Sequence, residues 1–129
     1  MKLIDTDIAI DHFHGHRAAL DYFAETLAAG EVLAISVITL TELASGMRLG
    51  EEARTERLLK LFTLLDVNEP IGRRAATYLR QFRPSHRLEL GDALIAATAA
   101  HHKAELITRN SKHYPMRDVR VTAPYERGR

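Results

Sequence analysis

Apolar residues along this chain follow two habits: short runs bounded by polar turns, and longer stretches where they return every three or four positions. Lys2-Leu3-Ile4 opens as a short strand that runs into Asp5-Thr6-Asp7, a polar cluster able to cap the helix after it. From Ala18 to Ala29 the residues Ala19, Leu20, Tyr22, Phe23 and Leu27 recur at helical spacing, and Gly30 stops the run. Glu31 to Val37 contains Val32-Leu-Ala-Ile35, which reads as a buried strand between Gly30 and Ser36. Thr39 to Met47 reads as a helix, with Gly46 and Gly50 marking its end.

Arg54 to Leu65 has the pattern of an amphipathic helix with Leu58, Leu61, Phe62 and Leu65 facing inward. Asp66-Val-Asn-Glu-Pro70 breaks it, and Pro70 is placed to begin the next helix, through about Phe82. Arg83 to Leu88, which contains Pro84, reads as a polar connector. An alanine-rich helix follows from Glu89 to His102, with Leu90, Leu94, Ile95 and Thr98 along one side. Glu105 to Thr108 and Val119 to Val121 complete the pattern as short strands, and Tyr125 to Arg129 reads as a loose tail. Short apolar strands alternating with helices predict an α/β fold: three layers, α/β/α, around a short, mainly parallel sheet. The pattern shows no repeat and no linker, so residues 1–129 are expected to form a single domain.

Composition narrows the chemistry. Hydrophobic content of 46% and charged content of 27% are ordinary for a globular protein. With no cysteine, a disulfide scaffold, a zinc–cysteine site and a thiol nucleophile are all excluded. The N-terminus lacks the long apolar stretch of a signal peptide, and no run approaches the roughly 18 apolar residues of a membrane span. The cytoplasm, with no membrane partner, is the expected location. A net charge of +1 conceals an uneven distribution: residues 1–47 hold two basic and seven acidic side chains, residues 48–129 sixteen and ten. That asymmetry suits a carboxylate pocket beside a phosphate-attracting surface, although solvated helix faces would account for it as well.

Parallel α/β sheets bind ligands outside the carboxyl ends of their strands, and three acids fall near such ends. Asp5 ends the first strand, Glu42 lies early in the helix after the second, and Asp92 lies in the first turn of the alanine-rich helix, after Gly91. A glycine there would let neighbouring backbone approach closely. Three convergent carboxylates repel one another unless a hard cation such as magnesium sits among them. Each has a duller reading too. Asp5 or Thr6 could cap the first helix, Thr39-x-x-Glu42 matches a capping box, and Asp92 could serve only the helix dipole.

Three segments taken in order resemble the PIN-domain ribonucleases, and especially the VapC-type toxins of toxin–antitoxin pairs. They are Leu3-Ile-Asp-Thr-Asp-Ile8, Ser36-Val-Ile-Thr-Leu-Thr-Glu-Leu-Ala-Ser-Gly46, and Leu90-Gly-Asp-Ala-Leu-Ile-Ala-Ala97 with Leu106-Ile-Thr-Arg-Asn110. The resemblance spans nearly the whole chain. It implies that Asp5, Glu42 and Asp92 bind magnesium or manganese and that the protein is an endoribonuclease leaving a 5′-phosphate. It also implies an antitoxin that blocks the site, and commonly a homodimer or a toxin–antitoxin hetero-oligomer. One position departs from the family pattern. Where many members carry a fourth acid this chain has Asn110, which can orient water or ligate weakly but adds no charge. Asp7 or Glu89 could supply the missing charge. Thr6 and Thr108 are candidate hydroxyl supports, and Arg109 either meets phosphate or is solvated.

His12-x-His14-x-His16 reads as exposed loop histidines around Gly15, and His101-His102 as favourable charges at a helix end. Two other functions fit parts of the pattern. A phosphatase of the haloacid-dehalogenase type would use Asp5 as nucleophile and Asp7 as acid, but its lysine and later acidic pair have no convincing place. A catalytically inactive module of the same fold would explain Asn110.

Overall fold

The structure is a computed structural model that describes residues 1–126. Strand β1 (Lys2–Ile4) leads into α1 (Thr6–Phe13) and α2 (Arg17–Ala28), joined through Gly15, whose φ of 75° favours glycine. Gly30, at φ 79°, then turns the chain into β2 (Leu33–Ser36), which runs directly into α3 (Val37–Ser45). Next come α4 (Glu52–Leu59), β3 (Thr63–Leu65), α5 (Glu69–His86), α6 (Leu90–His102), β4 (Glu105–Ile107), a 3₁₀ turn at Ser111–His113 and β5 (Val121–Thr122).

The five strands form one sheet in the order β3-β2-β1-β4-β5, and every pairing is parallel. Strand alternation sends Leu3, Ala34, Leu65 and Leu106 to one side, where they meet Ile71, Ala75 and Tyr78 of α5 and the alanines of α6. Ile4, Leu33, Ile35 and Ile107 face the other side and meet Ile8 of α1, Phe23 of α2 and Leu58 of α4. The result is the expected three-layer α/β/α architecture. Because the strands are parallel, their carboxyl ends share one edge, and the helices that follow begin there.

Several local expectations need correction. The predicted helix from Arg54 to Leu65 ends at Leu59, and Thr63–Leu65 is an edge strand paired with Ala34, Ile35 and Ser36. The leucine spacing fits both forms, and sheet pairing overrides local propensity here. In α5 the chain remains helical through Pro84, inside the predicted connector, and stops only where Arg87 takes a left-handed conformation at φ 52°. Pro84 merely removes one amide near the end of a helix already held by packing. Of the residues expected along one side of α6, Ile95 and Thr98 are buried and Leu90 is 62% exposed. A Cβ on Gly91 would meet Ile38 Cγ2 at 3.6 Å, an ordinary contact, so close backbone approach does not require glycine there. His12 belongs to α1 and stacks on Phe23 with ring centroids 4.3 Å apart, so it is not an exposed loop residue. Tyr125 is also not loose: its hydroxyl donates to Asp11 Oδ2 at 3.0 Å. Residues 127–129 of the predicted tail lie outside the described residues.

Candidate metal-binding active site

A cleft of about 640 Å³ opens at the carboxyl edge of β1, β2 and β4. Asp5, Thr6, Asp7, Glu42, Asp92 and Asn110 line it, with His86, Lys112, His113 and Tyr114. Asp5 directly follows β1 and is 8% exposed. Its Oδ1 accepts the Thr6 amide at 2.8 Å, capping α1, and its Oδ2 accepts the Tyr114 hydroxyl at 2.9 Å. Capping and site membership are thus compatible, since a carboxylate offers lone pairs to both. Asp7 accepts the amides of Ile8 at 2.8 Å and Arg109 at 3.0 Å, and the Thr108 hydroxyl at 3.3 Å.

Glu42 does not form the capping box that its spacing suggested. Ser36 caps α3 by accepting the Ile38 amide at 3.0 Å. Glu42 Oε1 instead accepts the Thr6 hydroxyl at 2.6 Å, and that hydroxyl lies 3.0 Å from Thr39 Oγ1. Asp92 combines both readings: its Oδ2 accepts the Glu89 amide at 3.2 Å and faces His113 Nε2 at 2.9 Å. Its Oδ1 stands 3.4 Å from the Tyr114 hydroxyl. A single phenol therefore stands within reach of Asp5 and Asp92, two acids from opposite ends of the chain.

Charge is poorly tolerated here. Burial, and then the neighbouring Asp7, push the Asp5 carboxyl up to about 6, against the pull of hydrogen bonds from Thr108, Tyr114 and Thr6. Burial raises Asp7 as well, opposed by the Arg109 amide and guanidinium. Tyr114 is raised by burial and then by the charges of Asp5 and Asp92, so it remains a protonated donor.

Among the described residues no three His, Asp or Glu side chains stand close enough together to hold an ion as they are placed, and the Tyr114 hydroxyl lies between Asp5 and Asp92. The donor set nonetheless suits a hard divalent cation. It is made of carboxylate, hydroxyl and amide oxygens, and the buried Asp5 has another carboxylate, Asp7, beside it.

Of the other expected residues, Asn110 lines the cleft, whereas Glu89 caps α6 and is not part of the lining. Arg109 turns away: its Nε lies 2.9 Å from Asp11 Oδ2 and 3.9 Å from Asp7 Oδ2, so it is neither solvated nor aimed at the cleft. Sequence reasoning missed His86, Lys112, His113 and Tyr114. The signal for the last three was their place just beyond β4, where the 3₁₀ turn carries the chain back over the strand ends.

Comparison with known proteins finds relatives along most of the chain. The PIN domain family matches residues 2–119. Ribonuclease VapC10 of Mycobacterium tuberculosis is 44% identical over 117 residues, covering 90% of this chain and 87% of the relative. A toxin–antitoxin complex from Klebsiella pneumoniae contains a chain that superposes with a TM-score of 0.76 at 36% identity, covering 98% of this chain and 99% of that one. The VapBC-1 structure from nontypeable Haemophilus influenzae gives a TM-score of 0.78 at 26% identity, covering 95% and 97%.

Proposed function

The chain belongs to the PIN-domain family, and from that premise we propose that it is a metal-dependent endoribonuclease acting as the toxin of a toxin–antitoxin pair. The observation that carries this reading is the convergence of Asp5, Asp7, Glu42 and Asp92 on one cleft at the strand ends. A ribonuclease relative at 44% identity supports the RNA substrate, and the Klebsiella pneumoniae complex supports an antitoxin partner. The phosphatase alternative finds no counterpart among these relatives.

Asp5 and Asp92 are the residues that would hold a divalent cation directly, with Glu42 joining them directly or through water. Magnesium is the ion we favour, with manganese as the alternative. Such a cation supplies charge neutralisation at the phosphate and acidification of water. The chain's own groups prepare for that chemistry. Thr6 steers Glu42 toward the cleft, His113 fixes one oxygen of Asp92, Lys112 offers positive charge to the phosphate from the rim, and His86 offers a ring N–H donor. Asn110 orients water beside them without adding charge. In the reaction a water oxygen bonds to phosphorus, the bond to the 3′ oxygen breaks, and the products are a 3′-hydroxyl and a 5′-phosphate.

Among the described residues no helix is long and apolar enough to cross a membrane. We place the protein in the cytoplasm, as one domain that pairs with itself and with its antitoxin. The test is cleavage of total cellular RNA by the purified protein, with magnesium, with chelator, and with Asp92→Asn. Discrete fragments that need both metal and Asp92 are the expected result. Absence of cleavage from folded, antitoxin-free protein would favour the inactive module and single out Asn110.

A further inference from the structure

Helix α5 carries four arginines and a single acid, Glu69. It also walls two cavities. His86, at its end, lines the acidic cleft, while Arg73, Arg74, Tyr78 and Phe82 line a second cavity of about 830 Å³. The segment after β4 forms the opposite wall of both: Lys112 to Tyr114 at the cleft, and Pro115 to Asp118 at the second cavity. The two cavities meet at the rings of Phe82 and His86, which stand edge to face with centroids 6.0 Å apart. The two cavities, together the trough, are therefore walled by adjoining stretches of the same two segments.

The charge of the trough changes along its length. The cleft holds four carboxylates, while Arg73, Arg74 and Arg117 flank the second cavity. Its one lining acid, Asp118, already pairs with Arg74 at 3.1 Å and the Tyr78 hydroxyl at 2.8 Å, and Glu69, one turn before Arg73 on α5, pairs with that arginine at 2.7 Å. Arg117 is exposed at the rim, and a guanidinium bonded once keeps donors free for phosphate. From Arg73 to His86 the helix runs about 20 Å, the reach of a short stretch of extended strand. Phe82 and His86 offer ring faces and edges at the cleft end of that run, as single-strand tracks do.

We propose that this trough is an RNA-backbone track, in which Arg73, Arg74 and Arg117 hold the phosphates of the strand on one side of the bond presented to the acidic cleft. The track rests on the ribonuclease reading and deepens it. It gives the basic rear half of the chain a task that the cleft alone does not explain. Backbone contacts of this type add affinity without choosing sequence.

The test compares two labelled single-stranded RNAs, one short enough to fill only the cleft and one that overruns it. Binding to wild type, to Arg73→Gln/Arg117→Gln and to Glu69→Gln is measured in chelator, and cleavage of the same RNAs is measured with magnesium. The double variant should bind the long RNA about tenfold more weakly, with its logarithmic salt dependence shallower by about 0.7 for each lost contact. Its binding and cleavage of the short RNA should be unchanged. Glu69→Gln, which frees Arg73, should tighten the long RNA and leave the short one alone. Equal effects on both lengths, or none, would overturn the track while cleavage by wild type kept the ribonuclease reading intact. If wild type neither binds nor cuts either RNA, both readings fall. Loss of antitoxin binding with long-RNA binding intact would give the trough to the antitoxin and also overturn the track.

Discussion

Asp5 must carry its charge where solvent is nearly absent and Asp7 is close. Its carboxyl is raised from 3.8 to about 6, so the folded protein holds that proton more tightly than the unfolded chain. The stabilising contribution is therefore fully present below pH 4 and is lost as pH climbs through 6, a change of about 3 kcal/mol in the metal-free protein. Asp5→Asn removes the titration and keeps an oxygen to cap α1. The variant should lose RNA cleavage yet match or exceed wild type in urea unfolding at pH 7 in chelator, with its advantage growing between pH 4 and 6. A less stable variant at pH 7 would mean that the carboxylate serves mainly as a cap. Tyr114 donates a hydrogen bond to the same group. Tyr114→Phe should lower the stability of the metal-free protein by about 1–2 kcal/mol. It should also enlarge the rise in melting temperature that magnesium produces, since one donor fewer then competes with the cation for Asp5. Asp5 and Glu42 could be read from sequence because each comes shortly after a strand, and Asp92 because it stands in the first turn of the alanine-rich helix. Tyr114 and His113 could not, because they reach the cleft through an irregular turn whose path no periodicity encodes.

Among the elements, α1 and β4 are joined by more than packing. Asp11 on α1 is fully buried, and it meets Arg109, just past β4, together with the Tyr125 hydroxyl from the chain's last described stretch. Arg109→Leu should cost about 3–5 kcal/mol in urea unfolding, because it strands a buried carboxylate. Tyr125→Phe should cost about 1 kcal/mol, the worth of one hydrogen bond. A cost near zero for Arg109→Leu would place the pair in effective contact with water. Helix α5 offers a change of opposite sign. Position 84 is exposed, and Pro84→Ala restores an amide to the Arg80 carbonyl, so thermal unfolding should show a gain of about 1 kcal/mol or more. Periodicity revealed the helices that bury a stripe, such as α2 and α6. It failed at Thr63–Leu65, where three residues are too few for alternation to differ from a helical turn and only the Ala34–Ser36 partner decides.

At the scale of the molecule, both apolar layers press on one five-stranded sheet, and β1 at its centre contributes Leu3 to one layer and Ile4 to the other. Neither layer can open without disturbing that strand. Calorimetric and van't Hoff enthalpies of unfolding should therefore agree, and two separate transitions would refute the single-domain reading. The same topology bears on manufacture. The central strand is made first, but its β4 neighbour and the Tyr114 hydroxyl that meets Asp5 come from the far end, 109 positions later in the last case. At about 5–20 residues per second, several seconds of translation separate these halves of the site. A growing chain is thus no finished nuclease until translation has passed Tyr114, because the first acid waits for a partner made 109 positions later.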